Sequence, residues 1–143
     1  MQGHRILLVE DNPADADLTC EALQDSGHAP EIAIAEDGEQ AVDFLYKRGE
    51  HSDALTPNLV LLDLNLPRRN GAEVLADIRA HPELKLLPVV IWSSSESDDD
   101  IHQAYQLGAN CYLSKPMDHI EFQSVLRSMH AFWLKTAKLP RTN

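Results

Sequence analysis

Apolar residues along this chain come in two alternating kinds of block. Short runs at Arg5 to Val9, Leu59 to Leu62 and Pro88 to Trp92 suit strands buried on both faces of a parallel sheet. Between them, apolar positions recur at helical spacing: Leu18, Ala22 and Leu23, then Ala41, Val42 and Leu45, then Val74, Leu75 and Ile78. Asn12-Pro13 starts a helix expected from about Ala14 to Ser26, with Gly27 as its stop. Glu31 to Ala35 is a second strand, and Asp37-Gly38 turns into a second helix that Gly49 ends. A polar connection, Glu50 to Pro57, leads to the third strand, and a loop from Pro67 to Asn70 enters a third helix at Gly71, closed by His81-Pro82. After the fourth strand and three serines, Asp98 to Asp100 fall in the first turn of a helix, where negative charge is favoured, and Gly108 closes it. A short strand, Asn110 to Leu113, precedes a last helix carrying Phe122, Val125, Leu126, Met129, Phe132 and Trp133 on one face. Strands alternating with helices at these lengths predict an α/β fold: a doubly wound five-stranded parallel sheet with helices on both faces.

Length and charge narrow the classes. A chain of 143 residues suits one domain with one sizeable core. Neither end reads as a signal peptide and no apolar run is long enough to span a bilayer, so a cytoplasmic protein without membrane contact is expected. The net charge of −11 argues against a nucleic-acid ligand, which would need Lys and Arg to neutralise phosphates. No phosphate-binding glycine loop or metal-type histidine spacing appears. Cys20 and Cys111 read as reduced thiols.

Candidate chemistry lies at the strand ends. In an open α/β sheet the functional crevice lies outside the carboxyl ends of the strands. Glu10 and Asp11 follow the first strand, Asp63 the third, Ser93 the fourth and Lys115 the fifth. Carboxylates gathered at one edge repel by about 3 kcal/mol per close pair at an effective dielectric of about 20, a cost that a proton or a cation offsets. Magnesium suits a shallow acidic pocket, since it takes one or two carboxylates, keeps several waters and accepts a phosphate oxygen. Beside it Asp63 could act as nucleophile toward a phosphoryl group, with Lys115 and Ser93 meeting the phosphoryl oxygens. The Lys115-Pro116 bond is a place where a cis peptide could stand. Each residue also has a plainer reading: Asp63 as a capping or turn aspartate, Glu10 and Asp11 as helix-start acids, Ser93 as loop, Lys115 as surface charge, and Tyr112, in the fifth strand, as packing.

Together and in order, Glu10-Asp11, Asp63 in Leu61-Leu62-Asp63-Leu64-Asn65-Leu66-Pro67, Gly71, Ser93 and Lys115-Pro116 resemble the receiver domains of two-component response regulators over about residues 5 to 130. The resemblance implies a flavodoxin-like strand order of 2-1-3-4-5, a phosphoaspartate at Asp63, and magnesium held by Asp11 and Asp63. Glu10 would act through water, and Asn65 would offer a main-chain carbonyl. It further implies a switch in which the Ser93 hydroxyl turns toward the phosphoryl group and the Tyr112 ring swings inward. Glu10 and Ser93 stand where Asp and Thr are commoner, and Ser94 and Asn65 fall at positions that tune phosphoryl lifetime in the family.

Only a short tail follows Trp133, so output is expected through protein binding rather than an attached effector, by a protein that is not an enzyme in the ordinary sense. Residues 1–133 form the receiver, and 134–143 form a tail whose apolar residues would serve as a dimer arm, the alternative being that the tail folds back on its own core. The Asn12-Pro13-Ala14-Asp15 start, the polar connection and the apolar ending further resemble single-domain regulators paired with phytochrome-type histidine kinases. That narrower likeness implies a homodimer on the fourth helix, fifth strand and fifth helix. Two alternatives stay open: a phosphorylation-independent scaffold, and a haloacid-type magnesium-dependent phosphatase, disfavoured because Asn65 stands where that chemistry wants an acid.

Overall fold

The computed structural model describes residues 3–24 and 29–141. Five strands form one sheet in the order β2-β1-β3-β4-β5: β1 Arg5–Val9, β2 Glu31–Ala35, β3 Leu59–Leu62, β4 Val89–Ser93 and β5 Cys111–Ser114. Every adjacent pair is parallel. Helices α1 Pro13–Gln24 and α5 His119–His130 cover one face of the sheet. On the other lie α2 Gly38–Leu45, α3 Gly71–Ala80 and α4 Asp98–Gln106. The alternation of strand side chains explains the division. Leu7, Val9, Val60, Leu62, Val89 and Ile91 pack against α2 and α3, while Ile6, Leu8, Leu59, Leu61, Val90 and Trp92 pack against α1 and α5.

Several boundaries differ from the expectation, each for a local reason. The first helix is described to Gln24, and the stop expected at Gly27 lies outside the described residues. The second helix ends at Leu45, not Gly49, because Lys47 takes a positive φ of 57° and breaks it; Gly49 instead opens a 3₁₀ turn to His51 within the connection. Strands β4 and β5 begin and end one residue later than expected, which places Ser93 and Ser114 inside the sheet as a register pair. No cis peptide bond occurs among the described residues, so the one considered before Pro116 is not realised.

The last helix departs most. Its α-helical hydrogen bonding gives way at Ala131 to a π-helical turn, Ala131–Thr136, which shifts the register of everything after it. Phe132, expected on the inner face, is half exposed, whereas Leu134 is buried with Phe122, Leu126 and Met129. Leu139 packs against the same cluster, and Pro140 and Arg141 lie in a shallow groove with Thr56, Asn58, Leu87 and Pro88. The tail thus returns beneath its own sheet, at the end opposite the carboxyl edge.

Candidate functional site

Strand register assembles the site. Val9 pairs with Leu62, so the next residue on each strand, Glu10 and Asp63, emerge side by side at the carboxyl edge. Asp63 N donates to Val9 O at 3.1 Å, and Glu10 N to Ala35 O at 2.9 Å, which fixes both backbones. Ser93 pairs with Ser114, and Lys115 N donates to Ser93 O at 2.7 Å. Strand β5 lies two positions from β3, about 10 Å at ordinary strand spacing, and the lysine stem spans that gap.

Lys115 Nζ donates to Asp63 Oδ2 at 3.0 Å, to Glu10 Oε1, and to Asp15 Oδ2 at 3.1 Å. Glu10, Asp63 and Lys115 are buried, yet Asp11 beside them is exposed. One carboxylate oxygen from each of Glu10, Asp11 and Asp63 lies within 4.8 Å of the others, a spacing that suits a shared cation. Four carboxylates against one ammonium leave a formal charge of −3, and a divalent ion would bring it to −1. Hard oxygen donors partly open to water fit magnesium or manganese better than zinc.

Burial pushes the Glu10 carboxyl up to about 7, against the pull of Lys115 and with the added repulsion of Asp63. Burial also works against the Lys115 charge, but the hydrogen bond it donates to Glu10 and the charge of Asp63 outweigh it and raise its pKa above the ordinary value. The Glu10 shift has a measurable sign. Between its ordinary value of 4.5 and about 7 the folded chain holds a proton that the unfolded chain has released, so this residue makes stability fall as pH rises through that window. Without divalent ions, the stability of the native chain relative to Glu10→Gln should decline from about pH 4.5 to pH 7 and then level; thermal melts of both proteins across that range check it.

Ser93 is fully buried, and its Oγ accepts from Ser95 N at 3.3 Å. Ser95 O in turn accepts from Tyr112 Oη at 2.9 Å and from Ser114 Oγ at 3.3 Å. The Ser95 hydroxyl donates to Asp100 Oδ2 at 2.6 Å in the first turn of α4. Tyr112 is half-buried with its ring against the core and its hydroxyl held. Asn65 is exposed, and its N–H donates to Asp63 Oδ1 at 3.2 Å, holding the carboxylate from the side away from Lys115. Ser94 is exposed.

Glu10, Asp11, Asp63, Asn65 and Lys115 meet at the carboxyl edge, Ser93 stands beside Lys115 through the β4-β5 pairing, and Tyr112 is joined to Ser93 only through Ser95; two further residues were not expected. Asp15 belonged to the helix-start motif, and only the fold shows that its carboxylate reaches Lys115. Ser95 was hidden in a serine triplet, where sequence gives no reason to prefer one hydroxyl over another.

Residues 6–127 match the response regulator receiver domain model. The chain belongs to that family. It is 44% identical over 135 residues to response regulator Rcp1 of Synechocystis sp., covering 94% of this chain and 92% of Rcp1. The phosphorylated cyanobacterial phytochrome response regulator RcpA superposes with a TM-score of 0.95 at 43% identity, over 98% of this receiver chain and all of that one. The Mn(2+)-bound form of Rcp1 gives 0.93 at 43% identity, over 96% and 99% of the two chains. Membership retires the haloacid-type reading. It is a signalling family, and no helix among the described residues is long and apolar enough to cross a membrane.

Proposed function

We propose that this chain is a single-domain cytoplasmic response regulator that accepts a phosphoryl group on Asp63 from a histidine kinase. The observation that carries the reading is the Asp63 carboxylate held between Lys115 and the Glu10-Asp11 pair. An oxygen of Asp63 forms a bond to phosphorus as the donor bond breaks, P–N for a phosphohistidine and P–O for a small acyl phosphate, and the electron pair leaves with the donor. Magnesium, held by Asp11 and Asp63 with Glu10 through water and the Asn65 carbonyl, would supply charge neutralisation at the transferring oxygens. Lys115 meets those oxygens from the opposite side, and Ser93 takes another once its hydroxyl turns. That turn releases Ser95 N, and Ser95 also carries the Tyr112 hydroxyl. Ser93 and Tyr112 are thereby linked to the start of α4, a local charge event acting on a packing element. The same pocket groups would assist both gain and loss of the phosphoryl group.

Incubation with magnesium and acetyl phosphate, followed by intact mass, tests this directly. One labile phosphoryl adduct is expected, absent in Asp63→Asn and without the metal. A native chain that never gains mass would instead favour the phosphorylation-independent scaffold.

The phytochrome link rests on likeness to the cyanobacterial phytochrome response regulator RcpA at 43% identity across its whole length, so the kinase partner we favour is a bacterial phytochrome. Output is proposed through a homodimer on α4, β5, α5 and the tail. Tyr105 and Phe132 support it, each about half exposed although large and apolar. Deleting residues 137–143 spares buried Leu134 and should lower the dimer fraction in light scattering; an unchanged mass would remove the tail from the interface.

A further inference from the structure

Asp15 is the one carboxylate touching Lys115 that phosphoryl transfer leaves without a task. It stands at the third position of α1, where an acid usually turns back to the N-cap amide. Glu73 does so in α3, accepting from Asn70 N at 3.2 Å while Asn70 Oδ1 accepts from Glu73 N at 3.0 Å. In α1 that amide is already taken, since Asn12 N donates to Glu10 Oε2 at 3.2 Å. The helix start is capped from the other direction, by Asn12 Oδ1 accepting from Ala14 N at 2.9 Å and Asp15 N at 3.1 Å. Asp15 is thus relieved of capping, its backbone is fixed, and its side chain spends its charge on Lys115.

That contact is the third on an ammonium with only three donors. Glu10 and Asp63 already hold Lys115 inside the pocket, with side chains 1% and 9% exposed, whereas Asp15 is 31% exposed at the rim. The added bond is not needed to locate the lysine, and it ties a buried ammonium to a carboxylate at the rim. Glu10 and Asp63 also belong to the group spaced for a cation, and Asp15 does not. Once an ion shares the charge of the first two, Asp15 is the strongest remaining hold on the ammonium that an incoming phosphoryl oxygen requires.

We propose that Asp15 is a positioning residue that draws the Lys115 ammonium toward the rim and thereby slows phosphoryl uptake at Asp63. This rests on the phosphoacceptor reading above. Asp15→Asn keeps the shape and removes the charge. With saturating magnesium and acetyl phosphate at low ionic strength, its uptake should be about two- to fivefold faster than that of the native chain, as expected for a partly exposed ion pair, and the gain should shrink in high salt. Asp15→Glu keeps the charge and should return the rate toward the native one. In a Lys115→Met background the Asp15→Asn gain should vanish, because the effect travels through the ammonium; a general fold defect would not behave so. A rate equal to or below the native one, or the same gain without Lys115, overturns the proposal. If the native chain takes no adduct at all, both readings fall; if the adduct forms on Asp63 and Asp15→Asn brings no gain, only this one does.

Discussion

Lys115→Met should take up phosphoryl groups at least about a hundredfold more slowly than the native chain while binding divalent cations more tightly. The two effects have one origin. Lys115 donates to Glu10, Asp63 and Asp15, so on the proposed function it would compete with a cation for the first two and, with the cation bound, would meet the charge that develops on the transferring group. Removing a positioned donor from such a site costs about 10²–10³ in rate. Stability should change as well. Losing one partner of a buried ion pair costs about 3–5 kcal/mol, and the lower end applies here because Glu10, whose carboxyl is pushed up to about 7, can take a proton instead. The deficit should be largest without metal and should narrow on adding magnesium, since the ion replaces the missing positive charge among the acids. Denaturant melts with and without magnesium, paired with mass-resolved uptake, read all three quantities. Undiminished uptake would show that Lys115 is a structural counter-ion only.

The route from sequence to this pocket was short because the sheet does most of the assembly. A run such as Leu59 to Leu62 has no polar face, so it must be covered on both sides, and covered parallel strands put their carboxyl ends at one edge. Glu10, Asp63, Ser93 and Lys115 could be assigned to that edge from order alone, and the register pairs Val9 with Leu62 and Ser93 with Ser114 complete the convergence. What sequence did not show depends on side-chain direction or on a small change of backbone period. Asp15 is an ordinary first-turn acid until its partner is known. Ser95 matters through its amide, carbonyl and hydroxyl together, and nothing local marks it out from the two serines before it. Phe132 satisfied a 3.6-residue period, but the π-helical turn from Ala131 inserts a different one, so Phe132 is half exposed and Leu134 is buried, while Trp133 still packs against the core. Local composition carries no mark of that change.

Gly71→Ala should sharply reduce phosphoryl uptake, because the added methyl strikes the backbone that carries Asp63. A Cβ at Gly71 would lie 2.2 Å from Asp63 O and 2.7 Å from Leu64 Cα. These are backbone atoms, with no rotamer to move away. Gly71 N also donates to Leu64 O at 2.9 Å, so the first turn of α3 is tied to the loop that it would have to push aside. Relief requires the segment after β3 to shift, and Asp63 shifts with it, away from Lys115 and from the acids of β1. Overpacking usually costs about 1–3 kcal/mol, and backbone on both sides places this case at or above the top of that range. The small helical advantage of Ala over Gly, up to about 1 kcal/mol in a helix interior, offsets little at a first-turn position. Gly49→Ala supplies the contrast. Gly49 has a φ of +55° but nothing within 4 Å of its added Cβ, so it should lose only about 1 kcal/mol of backbone preference and leave uptake unchanged. Melting temperatures and acetyl phosphate uptake of the two variants, measured together, decide the point: if Gly71→Ala were as mild as Gly49→Ala, the phosphoacceptor loop would not depend on contact with the start of α3.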